Sequence, residues 1–267
     1  ALDGDFQVID RLKEMVRLAE GLTEDRDLRP EVTSRALACL ERFGQRLRGM
    51  PPGSVRAVGT NTLRQLNPAS GFLALAEESL GHPIEIIAGR EEARLIYLGV
   101  ANGLAASDQR RLVVDIGGGS TEIIVGEGFT PRLRESLSMG CVSASLRHFG
   151  DGVITAAGMS RAELAGAIEI RPVRERFRQS GWRDVVGSSG TVKSIAAVVA
   201  AQGWAQDGIT LDALNRLRDA LVDFGSVEAI DLEGLAEERR PVFTGGVAVL
   251  RSVFTALGIE RMQVSEE

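Results

Sequence analysis

Cysteine and histidine are nearly missing from this chain, with two of each among 267 residues. That scarcity narrows the chemistry at once. Cys39 and Cys141 lie far apart in unlike contexts, one on a helical face and one in a Gly-flanked turn, so neither a disulfide framework nor a thiolate metal site is indicated. A reducing, cytoplasmic setting is the expectation. His82 and His148 are too few for a His-rich metal centre, which leaves oxygen ligands and a hard cation, with Mg2+ the natural candidate. Lysine is also rare: of 31 basic residues, all but Lys13 and Lys193 are arginine. Aromatic residues are only 4% of the chain, so platforms on which a base could stack are in short supply. No apolar run approaches the roughly 20 residues that span a bilayer. The opening "ALDGDFQVID" lacks the basic head, apolar centre and small-residue cleavage site of a secretory signal. A net charge of −6 argues against a broad electrostatic grip on nucleic acid, while leaving room for a local cationic cleft.

What remains is the composition of a soluble globular protein, long enough for two domains of ordinary size. Along the first part, residues 6–22 read as a short strand followed by polar-apolar alternation. Val32, Ala36, Leu37, Leu40, Phe43 and Leu47 then recur at helical spacing. Residues 51–81 read as turn, strand, polar loop and helix, and residues 83–104 as strand, turn and helix. Strands alternating with helices imply an α/β domain over 1–108. After a soft linker at 101–111 the pattern changes to three strands joined by Gly-rich turns, which opens a second domain over 109–267. It continues with a helix through 160–181 that Pro172 should kink or interrupt, a strand and helix over 183–203, helices over 210–225 and 237–258, and a last strand at 261–267.

The stretch "LVVDIGGGSTEIIVG", residues 112–126, has three glycines and two hydroxyls between β-branched runs. A hairpin tip of this kind lets backbone amides approach an anion, since glycine has no Cβ to block them and tolerates positive φ. Ser120 and Thr121 add hydroxyl donors, and Asp115 and Glu122 flank the tip in positions suited to a hydrated Mg2+ beside a bound phosphate. A plain tight hairpin with exposed acids is the competing reading. It is not a P-loop, because no Gly-Lys-Ser/Thr follows and no helix begins there. In "VVGSSGTVKSIAAVV" a buried strand enters Gly187–Thr191 and a helix leaves, aiming free amides at the loop, with Lys193 on the first turn as a compact point charge. An ordinary capped helix would look the same. "AVGTNTLRQLNP" repeats the theme with Thr60, Asn61 and Thr62, and with Arg64 one turn in. In "GREEARLIYLG", Glu91 or Glu92 could act as a general base for water if the helix start faces the hairpin, and would otherwise be solvated caps. Gly140, Cys141 and Ser143 start a further helix, where Cys141 reads as a small packing residue. Arg239 and Arg240 stand ahead of the last apolar helix, able to neutralise a polyanion or simply to be solvated.

Together and in order, "VGTNTLRQ" at 58–65, "GREEARLIYLGV" at 89–100, "DIGGGSTE" at 115–122, "MGCVS" at 139–143 and "GSSGTVKS" at 187–194 resemble the exopolyphosphatase and guanosine pentaphosphate phosphohydrolase family, over essentially the whole chain. The resemblance implies two ribonuclease-H-like α/β domains of the actin, sugar-kinase and heat-shock-chaperone superfamily flanking a phosphate-binding cleft. It implies Mg2+-dependent removal of the terminal phosphate of inorganic polyphosphate or of the 5′-terminal phosphate of guanosine pentaphosphate. By the match Glu92 falls on the catalytic glutamate, with Glu91 as the register alternative, and Glu122 joins it in the catalytic set. Asp115, Gly117, Gly118, Gly119, Ser120, Thr121 and Glu122 fall on the phosphate and metal hairpin, where Asp115 and Glu122 are the metal ligands. Thr60, Asn61, Thr62, Arg64, Gly140, Cys141, Ser143, Ser189, Gly190, Thr191, Lys193 and Arg239 fall on expected phosphate-binding positions. The family's first phosphate hairpin, resembling "IDLGSNS", and its "GALREG"-like final turn have no counterpart here, which reads as truncation. An ATPase of the same superfamily and a non-hydrolysing polyphosphate sensor are the rival functions, and a homodimer is left open.

Overall fold

The computed structural model describes residues 12–104 and 109–265. The strand expected at 6–10 lies outside the described residues. By their contacts the residues form two compact units, Ala1–Ala57 with Leu66–Glu85, and Val58–Gln65 with Ile86–Glu267. This division differs from the expected 1–108 and 109–267, because the helix over 89–103 packs on strands of the second unit.

In the first unit, α1 (Pro30–Leu47) and α3 (Phe72–Leu80) lie against each other. The apolar spacing of α1 does what it predicts, burying Val32 and Ala36, and Cys39 joins them as a free buried thiol. Gly44 permits the close approach: a Cβ there would sit 2.6 Å from the Leu80 carbonyl oxygen. β1 (Ala57–Gly59) and β2 (Ile84–Ile86), where the chain passes from one unit to the other, pair in a two-stranded sheet, and the polar stretch after β1, which belongs to the second unit, is a short helical turn, α2 (Asn61–Gln65), where a loop was expected.

The second unit is built on a six-stranded mixed sheet. Its strands are β3 (Arg110–Ile116), β4 (Thr121–Glu127), β5 (Thr130–Leu137), β6 (Asp184–Ser188), β7 (Ile209–Thr210) and β8 (Arg261–Val264), in the order β5-β4-β3-β6-β8-β7. β3, β4 and β5 form the expected antiparallel meander, while β6 pairs parallel with both β3 and β8. One face of this sheet takes α4 (Gly89–Gly103): Ala93, Tyr97, Val100 and Ala101 pack on Val113, Ile124 and Val186.

Helix α9 (Arg240–Leu257) organises the helical layer. It is apolar nearly all round, as a fully enclosed helix must be, and 13 of its residues are buried. α5 (Cys141–Phe149) and α6 (Ala156–Ser180) both cross it at small residues. At the first crossing a Cβ on Gly245 would fall 2.5 Å from the Ser145 amide nitrogen and 2.7 Å from the Cys141 carbonyl oxygen. At the second, Gly166 meets Ser252. α7 (Ser189–Ala201) and α8 (Leu211–Phe224) complete the layer.

Pro172 does not interrupt α6, which runs unbroken for 25 residues. The proline removes only the donor for the Ile168 carbonyl. Ile168 and Pro172 are both on the exposed side, so water can take that acceptor.

Gly245→Ala should lower stability by about 1–3 kcal/mol, the usual cost of overpacking a tight contact, since α5 must retreat from α9. Thermal melts of the variant against the parent would show it. An unchanged midpoint would mean that this crossing is loose.

Candidate functional site

The site starts from strand register. Asp115 on β3 lies directly opposite Glu122 on β4, Glu122 lies opposite Ser136 on β5, and Asp115 pairs with Ser188 on β6. Directly opposed residues share a face of a sheet, so Ser136, Glu122, Asp115 and Ser188 form one polar row across four strands. Two positions back along the strands, Val113, Ile124 and Val186 carry α4, so the first turn of α4 lies over the row. The Ser136 hydroxyl donates to Glu122 Oε1 at 2.7 Å, and the Ser188 hydroxyl donates to Asp115 Oδ2.

Glu92 is brought to this row by α4. Gly89, the first residue of that helix, lies against Ser136 so closely that a Cβ would be 2.5 Å from the serine Cβ. Any side chain there would lever the helix start away from β5. Arg64 Nη1 donates to Glu92 Oε2 at 2.9 Å and to the Ile87 carbonyl at 2.8 Å, which fixes the carboxylate. Glu91 is held elsewhere, by a two-pronged contact from Arg94 Nε and Nη2 at 2.8 and 2.7 Å. The geometry thus separates the two glutamates that the sequence left as alternatives.

Three acids at close quarters have electrostatic consequences. Glu122 is 1% exposed, and burial pushes its carboxyl up to about 7, with Glu92 and Asp115 adding repulsion against the hydroxyls of Ser136 and Ser120. Burial raises Asp115 as well, with the Ser188 hydroxyl opposing and the Glu92 charge adding to the rise. Among the described residues no three His, Cys, Asp or Glu side chains converge closely enough to hold a metal by themselves. The donor set nevertheless fits a Mg2+ that keeps most of its water, for which one or two carboxylates and a substrate phosphate suffice.

Above the row sits the glycine turn. The Gly117 amide donates to the Ser120 carbonyl at 2.9 Å, leaving Gly118 and Gly119 at the tip. None of the three glycines adopts positive φ, so the expected conformational reason for them is replaced by a steric one. A Cβ on Gly119 would meet Asn61 Oδ1 at 2.5 Å, and one on Gly118 would meet Val142 Cγ2 at 3.4 Å. Opposite the tip, Gly140 lies against the Gly118–Gly119 peptide, with its Cβ position 2.5 Å from the Gly119 nitrogen.

The first turn of α5 is used differently from expectation. The amides of Cys141 and Val142 donate to the carbonyls of Gly117 and Gly118 at 2.9 Å each, Ser143 donates to Gly118 at 3.1 Å, and Gly140 donates to Ser143 Oγ at 3.0 Å. These donors grip the hairpin and are not offered to an anion. Because carbonyl and amide point oppositely in a trans peptide, drawing the oxygens of Gly117 and Gly118 toward α5 turns the amides of Gly118 and Gly119 away from it. Among the described residues those two amides find no acceptor. Two expected donors are inward: Ser120 is buried, and buried Thr121 spends its hydroxyl on the Met139 carbonyl at 2.7 Å.

β6 runs directly into α7, and their junction lies beside the same row, since Ser188 is both the last residue of the strand and the N-cap of the helix. Both the hairpin and this junction lie at the carboxyl ends of adjacent parallel strands, where open α/β sheets bind ligands. Ser189 is held at φ 86°, a left-handed conformation costly for a residue with a Cβ. The Arg239 guanidinium lies directly on Gly190. Its charge also reaches the Cys141 thiol, which is buried and whose pKa is pushed up chiefly by that burial. Thr191 is buried against Gly246 of α9, while Lys193 is half-buried on the first turn of α7. Thr60 and Thr62 are half-buried on either side of Asn61. Ser136 and Ser188 are the residues that sequence reasoning missed. Ser188 stands inside a quoted motif, but nothing local marks Ser136, which only strand register reveals.

An α/β fold whose adjacent parallel strands end in a glycine turn, a pair of facing acids and a helix-borne glutamate defines a phosphate-handling hydrolase. A model of the Ppx/GppA phosphatase family matches residues 1–267, and the chain belongs to that family, whose members are hydrolases of phosphoric anhydride bonds. Solved structures agree on the fold. An exopolyphosphatase-like protein is 24% identical with a TM-score of 0.82, covering 98% of this chain and 88% of that one. An exopolyphosphatase from Cytophaga hutchinsonii is 22% identical with a TM-score of 0.78, covering 93% and 82%. The Aquifex aeolicus PPX-GPPA enzyme is 22% identical with a TM-score of 0.71, covering 94% and 85%.

Two measurements follow. The native Glu122 carboxyl keeps its proton to about pH 7, where an unfolded one releases it near 4.5. The folded state therefore binds more protons between these values, and stability falls as pH rises through that window, by roughly 3 kcal/mol for this group. Glu122→Gln should flatten the decline and melt higher than the parent at pH 8, and an identical pH dependence would clear Glu122 as its source. Ser189→Gly should raise stability by about 1 kcal/mol by removing a Cβ from the left-handed region, and an unchanged or lower midpoint in a denaturant titration would show that the backbone there is unstrained.

Proposed function

We propose that the chain is an exopolyphosphatase, releasing orthophosphate from the end of inorganic polyphosphate with Mg2+. The observation that carries this reading is the placement of Glu92 beside Asp115 and Glu122, next to a glycine turn whose two tip amides have no acceptor among the described residues. Those amides offer fixed donors to a phosphoryl oxygen without reorganisation. Glu92, held by Arg64, is the base that takes a proton from the attacking water. Asp115 and Glu122 are the ligands for Mg2+, which would draw charge off the phosphoryl oxygens when bound. Arg239 at Gly190 and Lys193 on α7 supply positive charge for phosphates further along the chain.

The reading favours a linear polyanion over guanosine pentaphosphate. A guanine ring needs a flat partner, and the sole tyrosine, Tyr97, is enclosed between α4 and the sheet at 1% exposure with its hydroxyl donating to the Gly128 carbonyl.

Glu92→Gln should retain polyphosphate binding while phosphate release drops by roughly 100-fold or more. Orthophosphate release from long polyphosphate and from guanosine pentaphosphate, each with Mg2+ and with chelator, tests the rest. Faster release from the guanosine compound would reverse the substrate assignment, and release unaffected by chelator would remove the metal.

A further inference from the structure

We infer that the exposed face of α6 is a self-association surface, pairing antiparallel with α6 of a second copy about a two-fold axis at Ile168. The helix spans 25 residues, about 37 Å at 1.5 Å per residue, and its buried side, with Met159, Ala162, Gly166, Ile170 and Phe177, faces the protein interior. The opposite side carries Leu164, 61% exposed, and Ile168, 57% exposed, continued by exposed Pro172. Leu164, Ile168 and Pro172 are four residues apart, so they form one apolar stripe.

Charge decides what covers that stripe. Arg161 lies seven residues before Ile168 and Glu175 seven residues after it, both exposed and both on the same stripe. A seven-residue step returns to nearly the same side of a helix, two turns along. In an antiparallel pair with its two-fold at Ile168, each Arg161 therefore stands level with the partner's Glu175, and each Leu164 level with the partner's Pro172. Ile168 meets its own copy. Such an isologous contact repeats every interaction twice, giving two ion pairs flanking an apolar centre. Within the chain Arg161 pairs with no carboxylate among the described residues, and Glu175 only accepts from Gln179 Nε2 at 2.9 Å. The two charges are thus free to be satisfied across the axis. No other surface helix presents two large, mostly exposed aliphatic residues one turn apart among the described residues.

Sedimentation velocity over a concentration series tests the idea on the whole chain. The parent should pass from monomer to dimer, and Ile168→Glu should remain monomeric at every concentration. Arg161→Glu alone and Glu175→Arg alone should each weaken dimerisation by about tenfold or more, because each creates two like-charged contacts. The double exchange R161E/E175R should recover it. All positions are exposed, so unchanged thermal melts would separate lost association from lost folding. A parent that stays monomeric, a dimer indifferent to Ile168→Glu, or a double exchange that fails to recover would each overturn the proposal.

Discussion

Three hydrogen bonds from the first turn of α5 to the carbonyls of Gly117 and Gly118 hold this site together. A helix N-terminus is a ready anion site, yet here it is occupied by the protein's own hairpin. The gain is indirect. With those carbonyls drawn toward α5, the peptide planes turn and the tip amides face away from that helix. α5 can do this because Gly140 leaves room for the Gly118–Gly119 peptide and because Gly245 lets α5 settle on α9. A contact deep in the helical layer thereby controls the direction of two backbone dipoles at the surface.

The acid row shows the same economy. Asp115 and Glu122 stand opposite each other because the hairpin register sets them so, and the adjoining strands each supply a serine hydroxyl to steady one carboxylate. The arrangement is electrostatically unfavourable by itself: burial raises both groups toward neutrality, with Glu92 repelling each and Asp115 repelling Glu122. Functional sites commonly keep such tension, since a cation or a displaced proton relieves it only when the reaction calls for it. Arg64 compensates Glu92, whereas among the described residues no ion pair reaches Asp115 or Glu122.

Much of the architecture could be read from residue order. The β3-β4-β5 meander, the strand-to-helix switch at Gly187–Thr191 and the amphipathic α1 follow from period-two and helical spacing, which are local properties. Local reading went astray where a non-local partner decided the outcome. The glycines at 117–119 suggested positive φ, whereas their real constraint is the approach of Asn61 and Val142. Pro172 suggested a break, but solvent on the outer side of α6 accommodates the missing bond. The start of a helix at 140–143 was legible, but not that its amides donate to the hairpin carbonyls of Gly117 and Gly118.

Spacing and composition alone determined that this chain is an α/β protein with several side-chain-poor turns flanked by acids and poor in cysteine and histidine. Those features depend on residue type and short separations, which the linear order carries in full. Only the tertiary structure decided that Glu92 and not Glu91 meets the acid pair, that Ser136 and Ser188 steady it, and which backbone amides remain open. Each of these depends on strand register and helix docking between residues far apart in the chain, and such distances are settled by packing.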